Sequence, residues 1–276
     1  MRIKTALLAA AAIIAAATPA TAHRQWLLPS GTIFSGEGPW VTVDAASSND
    51  LFYADHNAMR LDNVKAWRPD GTEAELKNAA TGRYRSVFDV QLDQPGTWRI
   101  GSTQSGVMGT FKVDGVEWRL GPARGPAANA PNRVATVAEI PTNATDLAIT
   151  ETGGRNEFFA TLGAPSAIKP LGQGLEMVPV THPAELVQGE SAQLRFLVDG
   201  QPAADLKVTL VPGGKRYRDS EGVFEVTTDA DGVATVNWPM PGMIWLNASL
   251  RDDKPTTPRA TQRRLSYTAT LEVMAP

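Results

Sequence analysis

From residue 40 onward the sequence alternates short β-type runs with turn dipeptides, and this pattern constrains the fold most. Runs at 41–45, 64–68 and 83–92 are separated by Pro- and Gly-containing turns. Asp-Gly pairs at 114–115 and 199–200 favour tight hairpins because both residue types tolerate positive φ. No stretch shows a sustained 3.6-residue apolar period, so any helix should be short. The pattern predicts an all-β fold.

Turn signals recur every 8–12 residues or so, which is typical of β-sandwiches. We predict two sandwich domains, at residues 23–165 and 166–276, with a long exposed loop at 121–133, where Pro, Ala and Gly dominate. The second domain contains seven β-type runs, the number in a simple immunoglobulin-like sandwich. These runs lie at 175–180, 191–198, 206–212, 222–228, 233–238, 243–249 and 266–273.

The first 22 residues have the pattern of a cleavable export signal. Arg2 and Lys4 precede an apolar stretch at 5–17, which is too short for the roughly 20 residues of a membrane-spanning helix. Ala20 and Ala22 form an A-x-A cleavage site. We therefore expect a mature protein that begins at His23, lies in a bacterial periplasm and does not span the membrane.

Composition excludes several classes of protein. The chain has no Cys, so a disulfide framework and every Cys-ligated metal centre are excluded. The formal net charge of −3 and the absence of a basic face argue against a nucleic-acid partner. The sequence also lacks the G-x-S-x-G, H-E-x-x-H, P-loop and dinucleotide-binding motifs. We predict a protein that is not an enzyme.

Histidine is rare, with three in the chain, and cleavage would leave one of them at the terminus. The α-amine and the imidazole of His23 could then chelate one metal ion, because a free amine has a pKa near 8 and loses its proton readily to a metal. His56 lies in a polar loop and is the preferred second imidazole, with Asp55 as its orienting acceptor or a weak ligand. Such a nitrogen-rich set suits divalent cobalt, nickel, copper or zinc.

Each candidate ligand also has a structural interpretation. His56 could equally be a turn histidine that bonds to a backbone carbonyl. His182 precedes Pro183, which imposes extended backbone, and a structural role is favoured over its role as a further metal ligand. A terminal His23 could be frayed, but the apolar residues from Trp26 onward predict a terminus anchored to the domain.

Several motifs resemble those of one family of exported bacterial proteins. The opening at residues 22–29 is similar to the pattern A-H-x-x-W-L-x-P of that family, and matches continue in the second domain. Those further matches lie at 163–165, 174–179, 189, 198–202, 228–234 and 241–245. The family carries a domain of unknown function linked to nickel and cobalt uptake.

The resemblance implies a periplasmic accessory protein that binds or delivers nickel or cobalt, with copper or iron as other possible cargoes. Its partners would be the metal ion and a membrane importer or outer-membrane receptor. Of the candidate ligands, only His23 corresponds to a motif position of the family. Two alternatives stay open: a cell-envelope module that interacts with protein or glycan and has no metal role, and a copper-dependent oxidase.

Overall fold

The computed structural model describes residues 23–122 and 131–276. The predicted signal peptide and most of the predicted loop at 121–133 therefore lie outside the described residues. The described residues form twenty β-strands and three short 3₁₀ turns, at Val137–Glu139, Pro183–Glu185 and Lys215–Tyr217. The prediction of an all-β fold is confirmed. None of the described residues belongs to a helix long and apolar enough to cross a membrane.

The first twelve strands precede residue 163. They are β1 (Arg24–Pro29), β2 (Ile33–Phe34), β3 (Trp40–Ser48), β4 (Asn57–Ala58), β5 (Val64–Trp67), β6 (Glu73–Ala74), β7 (Lys77–Thr81), β8 (Ser86–Gln91), β9 (Gly96–Val113), β10 (Val116–Leu120), β11 (Arg133–Val134) and β12 (Thr145–Leu162).

The remaining eight strands follow residue 174, and all seven runs predicted there contain a strand. They are β13 (Leu175–Pro179), β14 (Ser191–Val198), β15 (Gln201–Pro202), β16 (Lys207–Pro212), β17 (Phe224–Thr227), β18 (Val233–Asn237), β19 (Gly242–Asp252) and β20 (Gln262–Val273).

Three sheets build two layered cores. The first core lies between the sheet β1-β3-β8-β7 and one part of an eleven-stranded sheet, and it contains Leu27, Phe88 and Trp98. The second lies between the sheet of β13, β14, β15 and β18 and another part of the same large sheet; Phe196 and Tyr267 pack there. Alternating apolar residues from facing sheets fill both cores, as in a sandwich.

The two sandwiches share the large sheet. Its order is β11-β10-β9-β12-β20-β19-β16-β17, so that β12 of the first half pairs in parallel with β20 of the second. The predicted boundary after residue 165 falls between β12 and β13, and the division into two independent domains stays a prediction.

Two strands are far longer than the sequence pattern predicts. The separate runs at 97–100 and 109–113 belong to the single strand β9, and those at 147–150 and 156–162 belong to β12. Polar and Gly residues at 103–106 and 152–154 interrupt the apolar alternation in both. The two strands nevertheless pair with each other along nearly their whole length, which satisfies the backbone groups of these polar segments.

Candidate metal centre

His23 and His56, the two histidines of the first half, lie on either side of the same end of β3. On one edge of β3, Arg24 lies opposite Ser48; on the other edge, Asn57 of β4 lies opposite Ser47. His23 immediately precedes Arg24, and His56 immediately precedes Asn57. The sheet pairing therefore brings residues 33 positions apart in sequence to one place.

The imidazoles of His23 and His56 are in contact. Their ring centroids are 3.5 Å apart, and the ring planes are inclined by 9°. His23 is exposed and His56 is half-buried. Since the lone pair of an imidazole nitrogen lies in the ring plane, two parallel stacked rings do not both aim at one ion. A shared metal would require at least one ring to rotate out of the stack, a small movement for an exposed side chain.

The loop that carries His56 is fixed at several points. Both carboxylate oxygens of Asp55 accept hydrogen bonds from Asn49, from its backbone N–H at 3.0 Å and its side-chain amide at 3.3 Å. Phe52, in the left-handed region at φ 60°, packs edge-on against Trp26 with 5.7 Å between the ring centroids. These contacts close the loop over β1 and keep His56 beside His23.

The strand that carries His23 is anchored rather than frayed. The buried Trp26 donates from Nε1 to Ser48 Oγ at 2.6 Å, and Trp245 Nε1 donates to the Gln25 carbonyl at 3.0 Å. The guanidinium of Arg24 lies 5.5 Å from the ring centroid of Trp245. The residues that follow His23 are held to the body of the protein, as the sequence predicts, and the second of these contacts comes from a strand more than 200 residues away.

The cations near the histidines are paired with carboxylates. Arg24 forms an ion pair with Glu221, and Lys215 Nζ lies 2.6 Å from Asp50 Oδ1. The hydrogen bond and charge of Asp50 raise the pKa of Lys215, so this ion pair stays charged at neutral pH. The two carboxylates cancel most of the positive electrostatic field of these cations, which would otherwise repel a divalent metal ion.

Neither other candidate ligand joins the histidine pair. Asp55 is engaged by Asn49, and across residues 23–122 and 131–276 no three or more His, Cys, Asp or Glu side chains form a group able to hold a metal. The donors at the site are therefore two imidazoles. The structure accommodates the predicted His23–His56 pair but leaves the third nitrogen to the α-amine that cleavage would create.

His182 has a structural environment. Its Nδ1 accepts a hydrogen bond from the Ala184 N–H at 3.1 Å, and its Nε2 lies 2.9 Å from Thr97 Oγ1. Because Nδ1 accepts, the neutral ring carries its proton on Nε2 and donates to Thr97. Burial lowers the pKa of His182. The residue caps the turn Pro183–Glu185 and links it to β9, in agreement with the structural interpretation of its sequence context.

The sequence does not predict the contacts that the second half makes with this site. Glu221 and Trp245 lie 197 and 220 positions from the residues that they hold, and neither belongs to a local motif that signals the contact. The apolar cluster of Trp26, Ala46, Leu51, Val211 and Trp245 forms where the two halves meet beneath the histidines.

The fold and site define an all-β protein with a shared central sheet and a pair of stacked histidines at one end of β3, in the smaller sheet of the first half. Residues 20–252 match the family model described as "Domain of unknown function (DUF4198)", and the chain belongs to that family. No curated protein matches the sequence.

Similarity to solved structures is remote. Trypsin-activated alpha-2-macroglobulin from Escherichia coli is 13% identical with a TM-score of 0.23, and the match covers 91% of this chain and 16% of that one. The D0-D1 domain of intimin is 11% identical with a TM-score of 0.21, over 89% and 97% of the two chains. The mouse nectin-like molecule 4 ectodomain is 10% identical with a TM-score of 0.20, over 92% and 65%. These similarities assign no activity to the chain.

Proposed function

We propose that this protein is an exported, noncatalytic metal-binding protein of the bacterial periplasm that captures one divalent transition-metal ion and passes it to an uptake partner. The contact between the imidazoles of His23 and His56, with 3.5 Å between ring centroids, is the observation that carries the proposal. Two imidazoles held together at a surface by independent anchors supply half of a typical four-coordinate set.

Export processing supplies the third donor in this proposal. Cleavage after Ala22 converts the backbone nitrogen of His23 from an amide, which is a poor ligand, to a primary amine. Amine and imidazole of one residue then close a chelate ring, and His56 adds the second imidazole. Three nitrogen donors favour the late first-row ions, with affinity rising from cobalt through nickel to copper. Nickel or cobalt is the proposed cargo, because the family resemblance points to those metals.

An incomplete ligand set suits transfer. A site with three protein nitrogens keeps at least one position open, so that a partner's ligand can enter before the protein's ligands leave. The exposure of His23 places this open side toward solvent. A membrane importer or an outer-membrane receptor is the proposed recipient.

The test compares matched versions of the protein beginning at His23. After metal removal, binding of Ni²⁺, Co²⁺ and Cu²⁺ is measured by calorimetry for the native terminus, for a version with one extra Ala before His23, and for His56→Gln. We expect either change to weaken binding by ~10-fold or more, since each removes one nitrogen or its chelate geometry; ~10-fold corresponds to about 1.4 kcal/mol.

His182→Gln is the matched control, because it removes a histidine whose nitrogens already have partners in the protein. Its metal affinity should equal that of the unmodified protein. Equally weak binding by the native terminus, the Ala-extended version and His56→Gln would refute the metal site.

A further inference from the structure

A pocket of about 610 Å³ lies where the linker between β12 and β13 crosses the large sheet. One wall is the turn between β5 and β6, at 68–71, and the other is the linker segment at 167–173. Residues of β9 and β12 form the floor. The volume is within the range of roughly 300–1,000 Å³ that small-molecule sites occupy. The described lining contains no histidine, so this pocket is separate from the candidate metal centre.

The strand register places aromatic and charged side chains together on the floor. Trp67 of β5 lies opposite Arg99 of β9, and Arg99 lies opposite Phe159 of β12. The guanidinium of Arg99 lies 5.6 Å from the ring centroid of Phe159. Glu157 and Arg155 are on the same face of β12 as Phe159, because side chains alternate along a strand. The floor therefore sets two guanidinium groups beside aromatic rings.

The two guanidinium groups share one carboxylate and have few other partners. Arg155 Nη1 and Arg99 Nε each lie 3.7 Å from Glu157 Oε2, beyond good hydrogen-bonding distance. Arg99 Nη2 donates to the Lys169 carbonyl at 3.1 Å. Among the described residues Arg155 forms no hydrogen bond, although its side chain is only 12% exposed. Enclosed donors without acceptors cost stability, and a bound anion would supply the missing acceptors.

The charges around the pocket match a single negative group. The cations that line it are Arg68, Arg99, Arg155 and Lys169. Asp70 also lines the pocket, Asp93 pairs with Arg68, and Glu157 lies behind the other two arginines. Four cations therefore face three carboxylates, which leaves one net positive charge. A monoanion neutralises this charge, whereas a polyanion would bring charge that has no partner in the pocket.

The walls are mostly apolar. The apolar side chains along them are Trp67, Pro69, Ile168, Pro170 and Leu171. Trp67 and Ile168 are half-buried, and Leu171 is 47% exposed. A small inorganic anion would leave these surfaces in water, whereas an apolar body attached to the anion would cover them. The Trp67 ring also offers a face on which a planar group can stack.

The linker is fixed at both ends, so the pocket is formed before a ligand enters. The Thr97 N–H donates to Ser166 Oγ at 2.8 Å, and the Ser166 N–H donates to Thr97 Oγ1 at 3.1 Å. At the other end, the N–H groups of Leu171 and Gly172 each donate to the buried carboxylate of Glu176 at 2.7 Å. A preformed pocket lowers the entropy that ligand binding costs.

From this geometry we propose that the pocket binds a small organic monocarboxylate with an apolar body. Arg99 and Arg155 hold the carboxylate, and the apolar body lies between Trp67 and the linker segment. Guanidinium groups recognise carboxylates through paired, charge-assisted hydrogen bonds. The proposal is independent of the metal site, because none of the candidate metal ligands lines the pocket.

The test measures ligand binding by calorimetry in metal-free buffer, with the protein beginning at His23. Cinnamate is the probe, because it joins one carboxylate to a planar apolar body. Cinnamamide keeps the body and lacks the charge; acetate keeps the carboxylate and lacks the body. We expect saturable binding of cinnamate and affinities at least ~10-fold weaker for both of the other compounds.

Variants locate the binding in this pocket. Arg155→Gln should weaken cinnamate binding by ~10-fold or more, and Arg155→Lys, which keeps the charge, should weaken it less. Trp67→Ala should weaken cinnamate binding without changing that of acetate, since it removes only an apolar wall. Arg195→Gln is the matched control: Arg195 is an exposed arginine of β14 outside the pocket, and its loss should leave affinity unchanged.

Any of four results overturns the proposal. These are no saturable binding of cinnamate at millimolar concentration, equal affinity for cinnamate and cinnamamide, unchanged affinity in a folded Arg155→Gln, or binding of inorganic phosphate as tightly as cinnamate. Thermal unfolding shows whether Arg155→Gln is folded, and cinnamate should raise the melting temperature of the unmodified protein. If this variant does not fold, the comparison of ligands decides, because it uses the unmodified protein.

Discussion

Replacement of Tyr267 by Phe tests how the two halves are held together. Tyr267 is fully buried in β20, and its hydroxyl donates to Glu157 Oε1 of β12 at 2.9 Å. Glu157 is itself buried, and the nearest atoms of Arg99 and Arg155 lie 3.7 Å from its Oε2, beyond good hydrogen-bonding distance. The Tyr267 hydroxyl is the closest side-chain donor to this carboxylate among the described residues.

The substitution removes one hydrogen bond and little else. Phe keeps the ring that packs against Phe196, whose centroid is 6.1 Å away. A hydrogen bond to a charged group contributes about 1.5–3 kcal/mol, so we expect the free energy of unfolding to fall by about 2 kcal/mol. For a chain of this size, that corresponds to a decrease of about 6 °C in melting temperature.

The measurement is urea unfolding at pH 7 of the protein beginning at His23, followed by tryptophan fluorescence. Tyr217→Phe is the matched control, because Tyr217 is 90% exposed and its hydroxyl should contribute nothing. If Tyr267→Phe lies within ~0.5 kcal/mol of the unmodified protein, the hydrogen bond does not stabilise the junction and the argument from burial is wrong.

Three further predictions concern pH and packing. Burial, reinforced by the charge of Glu157, raises the pKa of Tyr267, so stability should be complete below about pH 10 and fall above it, with a smaller fall in Tyr267→Phe. Burial lowers the pKa of His182, so stability should be complete above about pH 6.5 and decline in more acidic solution; melting temperatures of His182→Gln should decline less. Gly109→Ala would place its Cβ in steric conflict with the Ala148 carbonyl oxygen, and urea unfolding should show a loss of about 3 kcal/mol in the free energy of unfolding.

Local signals in the sequence predicted the strands of the second half well. The run at 191–198 coincides with β14, and the Asp-Gly turn that follows it adopts the expected backbone: φ is 51° at Asp199 and 78° at Gly200. Such features depend on residues close in sequence, where alternation and turn chemistry act directly.

The central sheet was harder to predict because its polar segment breaks the alternation. Along β9 and β12, the segment around Gly106, Gly153 and Gly154 lies between the first core, which contains Ile100 and Phe158, and a separate apolar cluster that contains Phe111 and Ile149, so this segment is not required to be apolar. In the sequence, the apolar alternation stops at this segment and predicts that the strand ends. In the structure, each strand continues because its backbone groups form hydrogen bonds with the neighbouring strand. The parallel pairing of β12 with β20 has no local signal at all.

The candidate site was predicted in part. The pairing of His23 with His56 followed from two polar, rare residues and an anchored terminus, and the structure brings their rings together. The predicted role of Asp55 as a ligand or orienting acceptor stays a prediction, although its carboxylate already has Asn49 as a partner. The hydrogen bonds from Asn49 to Asp55 depend on how the loop closes, and the sequence pattern does not predict this closure.

The position of the histidine pair gives the second half a role in the proposed site. Both histidines belong to the first half. However, Arg24 forms an ion pair with Glu221 of the second half, and the Gln25 carbonyl accepts a hydrogen bond from Trp245. An isolated first half would lose both contacts and expose Trp26 and Leu51 of the junction cluster. Terminal residues without such contacts are usually mobile. A mobile His23 would lose conformational entropy when it binds a metal ion, and this loss would weaken the metal affinity. On the proposed function, the second half would therefore order His23 even though it contributes no donor atom to the proposed site.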